Sequence, residues 1–259
     1  MNKNRPPIPN KIKREVRQRC GFGCVICGNP IFDYDHIEEY YKIKTHKASG
    51  ITLLCPFHHR EKTVGRLPKY IVIEANKNPF NIKTQITGSN KLYFRGNSAE
   101  VILGNTAFIT VENKNENILI PLIVYSFAPI ILKIKDEELL IDVILKNKDD
   151  EIVLLIKDNE LSYSIGVWDI EYIGKTLIMR EKAFNIFIEI DFLIPNVLHL
   201  KKGKIYHNGK LLQLNSNGIY WGLNNIPMLS NLTIMSEIGL VIDDEESDYG
   251  CGIFYKVDM

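Results

Sequence analysis

Cys24-Val-Ile-Cys27, Tyr34-Asp35-His36-Ile37 and Leu53-Leu54-Cys55-Pro56-Phe57-His58-His59-Arg60-Glu61-Lys62-Thr63 are the stretches whose reading decides the fold of this chain. They contain two ligand pairs of the x-two-x kind, Cys24 with Cys27 and Cys55 with His58, set 27 residues apart. Thiolates and an imidazole in Cys3His composition suit a closed, tetrahedral, structural Zn2+ site. The spacing therefore predicts zinc on Cys24, Cys27, Cys55 and His58. Such an ion would hold together a small hairpin that has little apolar core of its own.

Around these ligands the local signals are consistent. Asn10 to Arg19 reads as a short basic helix with Asn10 as N-cap, docked by Ile12 and Val16 and expected to touch phosphates with its outer face. Before it, Met1 to Pro9 is a polar, proline-rich lead-in. Gly21 to Pro30 is a tight turn around the first cysteine pair, Ile31 to Ile37 and Ile51 to Leu54 are strands, and a helix starts near His58 and runs to about Val64. Lys69 to Ala75 fits a helix or a strand equally, and Asn76 to Phe80 is a polar turn that marks a domain boundary.

Asp35, His36 and His59 are left over, because a zinc knuckle needs none of them. A carboxylate and a neutral imidazole on one divalent cation suit Mg2+ or Mn2+, and a second imidazole is then available to take a proton from water. Neighbouring residues of a strand point to opposite faces, so Asp35 and His36 serve one phosphate only where the strand bends or ends.

From about Ile12 to Lys69 the chain resembles the HNH endonuclease domain, of the ββα-metal type with bound zinc. Matched residue by residue, the resemblance places Asp35 on the family's metal-binding acid, His36 on its general base and His59 on the metal ligand that opens the helix. Cys24, Cys27, Cys55 and His58 fall on the zinc positions, and Lys62 and Thr63 on the helix tail. The family's asparagine before the second strand, which pins the loop, corresponds here to Gly50, with Ser49 or Thr52 as substitutes for its hydrogen bond. The resemblance implies hydrolysis of DNA phosphodiesters with a catalytic Mg2+ or Mn2+ and 5′-phosphate and 3′-hydroxyl ends; duplex DNA is the expected partner ahead of single strands.

Charge is unevenly shared. Residues 1–80 carry 15 Lys+Arg against 7 Asp+Glu, and the remainder 17 against 24, so a net charge of +1 hides a basic front and an acidic back. That asymmetry points to nucleic-acid contact at the front, with Lys42, Lys44, Lys47, Arg60 and Arg66 as phosphate contacts and His46 in the loop between strands as a backbone or base contact. No apolar run is long enough for a membrane span, and four of the five cysteines fall in the first 55 residues, two of them as Cys-x-x-Cys. Both observations argue for a cytoplasmic protein without membrane partners or a disulfide framework. Cys20 and Cys251 read as small buried residues.

From residue 81 onward the texture is that of short β-branched strands between polar turns: 99–103, 118–124, 130–134, 139–145, 152–156 and 184–190. His207-Asn-Gly-Lys210 is the strongest hairpin signal, since Asn-Gly suits a type I′ turn. Trp168, Trp221, His199 and His207 read as structural residues of this part. The chain is thus expected to be α+β: a nuclease domain over 1–80 and a larger, mostly-β, sandwich or barrel-like domain over 81–259 for recognition, regulation or oligomerisation. By analogy with fused HNH proteins it looks like a restriction or phage-defence effector. The competing reading is a zinc-stabilised nucleic-acid-binding module with a degenerate active site and a protein-binding β domain, favoured by Gly50.

Overall fold

The computed structural model describes residues 6–111, 117–244 and 250–257, so the first five residues of the expected lead-in lie outside the described residues. The chain is α+β and mostly β, and it divides into two compact units. One runs up to Asn90 and also takes in Ser162–Tyr172; the other holds Lys91–Leu161 and the residues from Ile173 onward.

In the first unit, helix α1 (Asn10–Cys20) starts on the residue expected to cap it, because Pro9 occupies the cap position and Asn10 is already helical. The helix stops at Gly21, whose φ of 68° is left-handed and open to glycine at no cost. Strands β1 (Asp33–His36) and β2 (Ile51–Leu54) pair antiparallel, Asp35 opposite Thr52 and His36 opposite Ile51. A single-turn helix α2 (Tyr40–Ile43) lies in the loop between them, and α3 (Pro56–Thr63) follows β2 at once. Lys69–Lys77 is a helix, α4, rather than a strand: Val72 is buried and Ala75 packs beside it, a spacing of three that a helix places on one face.

The core of this unit is small. Val16, Cys20, Val25, Ile51, Leu53, Leu54 and Val72 form it, with Ile12 packed against them. Each such aliphatic side chain contributes about 1.5–3 kcal/mol on leaving water, so a core this size is marginal.

The unit passes Phe80 because helix α5 (Phe80–Thr84) sends Asn81 back into the cysteine turn, where its Nδ2 donates to Gly21 O at 2.7 Å and Gly28 O at 3.2 Å. A Cβ on Gly23 would lie 2.4 Å from that amide nitrogen, so glycine is required there. The arm Ser162–Tyr172 joins the same unit by pairing and by charge. Thr87 N–H donates to Tyr163 O and the buried Tyr163 hydroxyl to Phe22 O. Arg17 makes two bonds to the fully buried Asp169 carboxylate, at 2.9 and 2.7 Å, and one to Tyr34 Oη at 2.7 Å. Burial opposes the Arg17 charge, but these partners outweigh it and raise its pKa.

These contacts correct two expectations. Trp168 belongs to the first unit, where Arg14 lies over its ring, 4.4 Å from the centroid. The arginines of α1 are also largely withdrawn from phosphate contact, since Arg14 and Arg17 bind Asp169, while Arg19 donates to Asn76 Oδ1, Ala48 O and Ile51 O.

Among its described residues the second unit contains two sheets. In one, Asn117–Val124 lies between Ile238–Asp243, parallel to it, and Ile130–Lys135, antiparallel; Glu138–Lys146 and Ile152–Lys157 extend one side and Cys251–Lys256 the other. The other is an antiparallel meander from Thr176–Lys182 through Asn185–Leu193, Val197–His207, Lys210–Asn215 and Gly218–Trp221 to Ile226–Leu229, with Glu100–Leu103 parallel to the start of Val197–His207. Along Glu138–Lys146 every second side chain is buried, the period of a strand with one covered face. The Asn208-Gly209 hairpin forms as expected, with φ of 47° and 73°. The strand expected from residue 184 starts at Asn185, because Phe184 occupies a left-handed turn position. Among the described residues no helix is long and apolar enough to cross a membrane.

Candidate metal centre and the histidine face beside it

Each cysteine pair is brought to the centre by a different local device. The turn after α1 is closed by Gly28 N–H to Cys24 O and Cys24 N–H to Asn29 O, and Val25 N–H ties it to Leu53 of β2. On the other side Cys55 caps α3, its Sγ accepting the His58 N–H at 3.5 Å. The ligand atoms of Cys24, Cys27, Cys55 and His58 then lie within 4.8 Å of one another, and the four could hold a zinc ion. Tetrahedral zinc with Zn–S near 2.3 Å sets sulfurs about 3.8 Å apart and sulfur and nitrogen about 3.5 Å apart. Cys27 and Cys55 sulfurs are 3.8 Å apart, and His58 Nδ1 is 3.4 and 3.2 Å from Cys24 and Cys55. Hydrogen bonding from Cys27 holds the Cys24 thiol below the ordinary thiol range, and the same contact together with burial pushes Cys27 up. A cluster so crowded that thiolates must share protons is stabilised by a cation in their midst.

Asp35 and His59 face one another across β1 and α3. Asp35 is nearly buried, with Lys62 Nζ 2.5 Å from Oδ2 and His59 Nε2 3.6 Å from Oδ1. Lys62 also donates to His36 O at 2.7 Å, which pins the end of the strand to the helix. Asp33 Oδ2 lies 3.0 Å from His59 Nδ1. An ionised carboxylate only accepts, so Nδ1 carries a proton, and a neutral His59 then turns the lone pair of Nε2 toward Asp35 Oδ1. A protonated His59 would instead make an ion pair with each of the two carboxylates, at 3.0 and 3.6 Å.

His36 is the last residue of β1 and is buried. Its ring packs against Tyr40 and His46: His36 Nε2 is 3.1 Å from His46 Nδ1, and His46 Nε2 is 2.9 Å from Pro6 O. The His46 ring stacks on Tyr40 with centroids 4.8 Å apart. The structure therefore brings Asp35 to His59, and His36 Nε2 to His46. His46 faces this site rather than standing ready for a nucleic-acid base.

Of the remaining basic candidates, Lys42 pairs with Glu39 and Arg66 with Glu61, while Lys44, Lys47 and Arg60 are exposed. The loop before β2 is held by Arg19 on the carbonyls of Ala48 and Ile51 and by Ile37 N–H on Gly50 O. Three residues went unread in the sequence. Asp33 shares the strand face of Asp35 by alternation, a signal that was available; Arg19 and Asp169 are distinguished only by contacts that the fold creates.

No protein-family model matches the chain, and neither the curated proteins nor the solved structures yield a match.

Proposed function

We propose that the first unit is a metal-dependent endonuclease that hydrolyses DNA phosphodiester bonds, with the ββα arrangement of β1, β2 and α3 clipped by zinc. The observation that carries this reading is the approach of His59 Nε2 to Asp35 Oδ1, 3.6 Å, beside the buried His36 at the strand end. A cysteine-and-histidine clip has no need of them.

Asp35 and His59 would hold Mg2+ or Mn2+, whose chemistry is to stabilise charge developing on the phosphate and the leaving 3′ oxygen. Asp33 keeps the His59 ring in the tautomer that turns Nε2 toward the site. Lys62 balances part of the Asp35 charge and fixes the carboxylate so that Oδ1 stays turned to His59. His36 takes a proton from the attacking water as general base, a role suited to an imidazole near neutral pH. Exposed Lys44, Lys47 and Arg60 are the side chains best placed in sequence to track a DNA backbone, duplex rather than single-stranded. The β-rich second unit, acidic in composition, serves protein contact, oligomerisation or restraint of cleavage, as in a restriction or phage-defence effector acting in the cytoplasm.

Two observations favour a second reading, a zinc-stabilised module that binds nucleic acid without cutting it. The Lys62 ammonium on Asp35 already supplies a positive charge to the acid, and Gly50 stands where the related nucleases carry asparagine. Supercoiled plasmid incubated with the full chain distinguishes the two. Nicking that requires added Mg2+ or Mn2+ and leaves 5′-phosphate ends supports the nuclease; retarded but intact plasmid supports the binding module.

A further inference from the structure

We propose that the second unit carries a self-association surface along a charge-free margin, residues 211–236, and that its partner is a second copy of this chain; the proposal stands apart from whether the first unit cuts DNA. From Leu211 to Ser236 the sequence runs for 26 residues without an aspartate, glutamate, lysine, arginine or histidine, in a chain of which 24% is charged. Surface stretches ordinarily carry charge. Here the side chains turned to solvent are apolar: Leu223 is 84% exposed and Met235 67%, and Ile226, Pro227 and Leu232 are exposed beside them in sequence. Exposed apolar side chains concentrated on one uncharged stretch mark a contact surface, unlike the same residues scattered singly.

The turns that present them are braced from within. Gln213 Nε2 donates to Gly222 O and to Asn225 Oδ1, both at 2.8 Å, on either side of Leu223. Just before Leu232, Asn105 Nδ2 donates to Ser230 Oγ at 3.3 Å and to Asn231 Oδ1 at 3.1 Å, and the Asn231 N–H returns a bond to Asn105 Oδ1. Asn225 and Asn231 both take a left-handed φ of 52°, which asparagine tolerates. The apolar side chains are thus held out on fixed supports, and the amides around them are bonded within the chain. Among the described residues Ile226–Leu229 is the last strand of its sheet, and Pro227 removes an N–H from it. A proline there resists addition of a further strand, so the contact is made through side chains.

Charge selects the occupant. Beyond residue 80 the chain carries 17 Lys+Arg against 24 Asp+Glu, so two copies of this part repel wherever acidic surface meets acidic surface. A margin without charge lets two copies approach with no like charges opposed, and in a two-fold contact one patch serves both. An anionic partner, whether nucleic acid or a phospholipid surface, finds no cation in this stretch. Tyr93 gives the contrast, since it is also exposed but lies two residues from Arg95, which pairs with Glu137 at 3.0 Å.

Sedimentation velocity of the full chain at tens of micromolar tests the proposal. The parent should sediment as a dimer at low and at high salt alike, because the contact uses no charge. Leu223→Glu and Met235→Glu should each weaken association by about tenfold or more, since each sets a carboxylate from both copies into an apolar contact. Tyr93→Glu should leave the dimer unchanged. All three positions are exposed, and far-UV circular dichroism equal to the parent's establishes that each variant is folded. A parent that stays monomeric overturns the proposal, as does a dimer that persists when Leu223→Glu and Met235→Glu are combined. A dimer that dissolves at high salt overturns it too, and would be a contact of the basic front of one copy on the acidic back of another.

Discussion

The two histidines that end in different jobs, His58 and His59, are adjacent, and the helix start between Cys55 and Arg60 is what separates them. His58 turns its Nδ1 to the thiols of Cys24 and Cys55, and His59 turns to Asp33 and Asp35. The zinc set was legible in the sequence because ligand spacing within a knuckle is local and survives any tertiary arrangement. The partners of His36 and His59 were not, since they depend on which way a strand face and a loop ring are turned. Asp33→Ala should weaken the Mn2+ dependence of cleavage by about 10–100-fold, as loss of a carboxylate behind a metal-binding imidazole does; a Mn2+ titration of the nicking rate measures it. Gly50 offers a test in the other direction. An added Cβ there meets nothing within 4 Å, so Gly50→Asn should fold with the parent's stability and, where the loop limits the rate, raise cleavage.

Among elements, the strand, strand and helix of the first unit were readable from alternation and from the Cys-Pro start of α3. The arm Ser162–Tyr172 was not: nothing in its composition shows that Asp169 will meet Arg17 across 152 residues of sequence. The same blindness made the basic surface of α1 look like a phosphate face, when Arg14, Arg17 and Arg19 are spent on Asp169 and on the loop before β2. A buried, hydrogen-bonded ion pair costs most when half of it is removed. Asp169→Ala should lower the stability of the first unit by about 3–5 kcal/mol, whereas Arg17→Met with Asp169→Leu should cost far less. Urea unfolding followed through far-UV circular dichroism distinguishes them. A zinc ion on Cys24, Cys27, Cys55 and His58 would act at the same scale, on a unit whose core is small. The purified chain should carry about one zinc per molecule, and removing it with a chelator should lower the unfolding midpoint of the ββα unit, as metal binding and folding are coupled in small zinc domains.

Over the whole molecule, the division into a basic front and an acidic back corresponds to two units of different construction, one helical with a short hairpin and one made of two sheets. The strand-rich character of the second unit was plain from its β-branched runs, and so was the Asn208-Gly209 hairpin. Its pairing order was hidden, because the parallel partnership of Asn117–Val124 with Ile238–Asp243 joins segments more than a hundred residues apart. The proposed cleavage chemistry rests on the first unit, on three side chains beside a cluster that could hold zinc. The most direct test compares the parent with His36→Ala on supercoiled plasmid in Mn2+, both proteins carrying equal zinc. The account predicts a divalent-dependent nicking rate in the parent and a fall of about 100-fold or more in the variant, within the range attributed to general acid–base catalysis. Equal rates for the two proteins would contradict it.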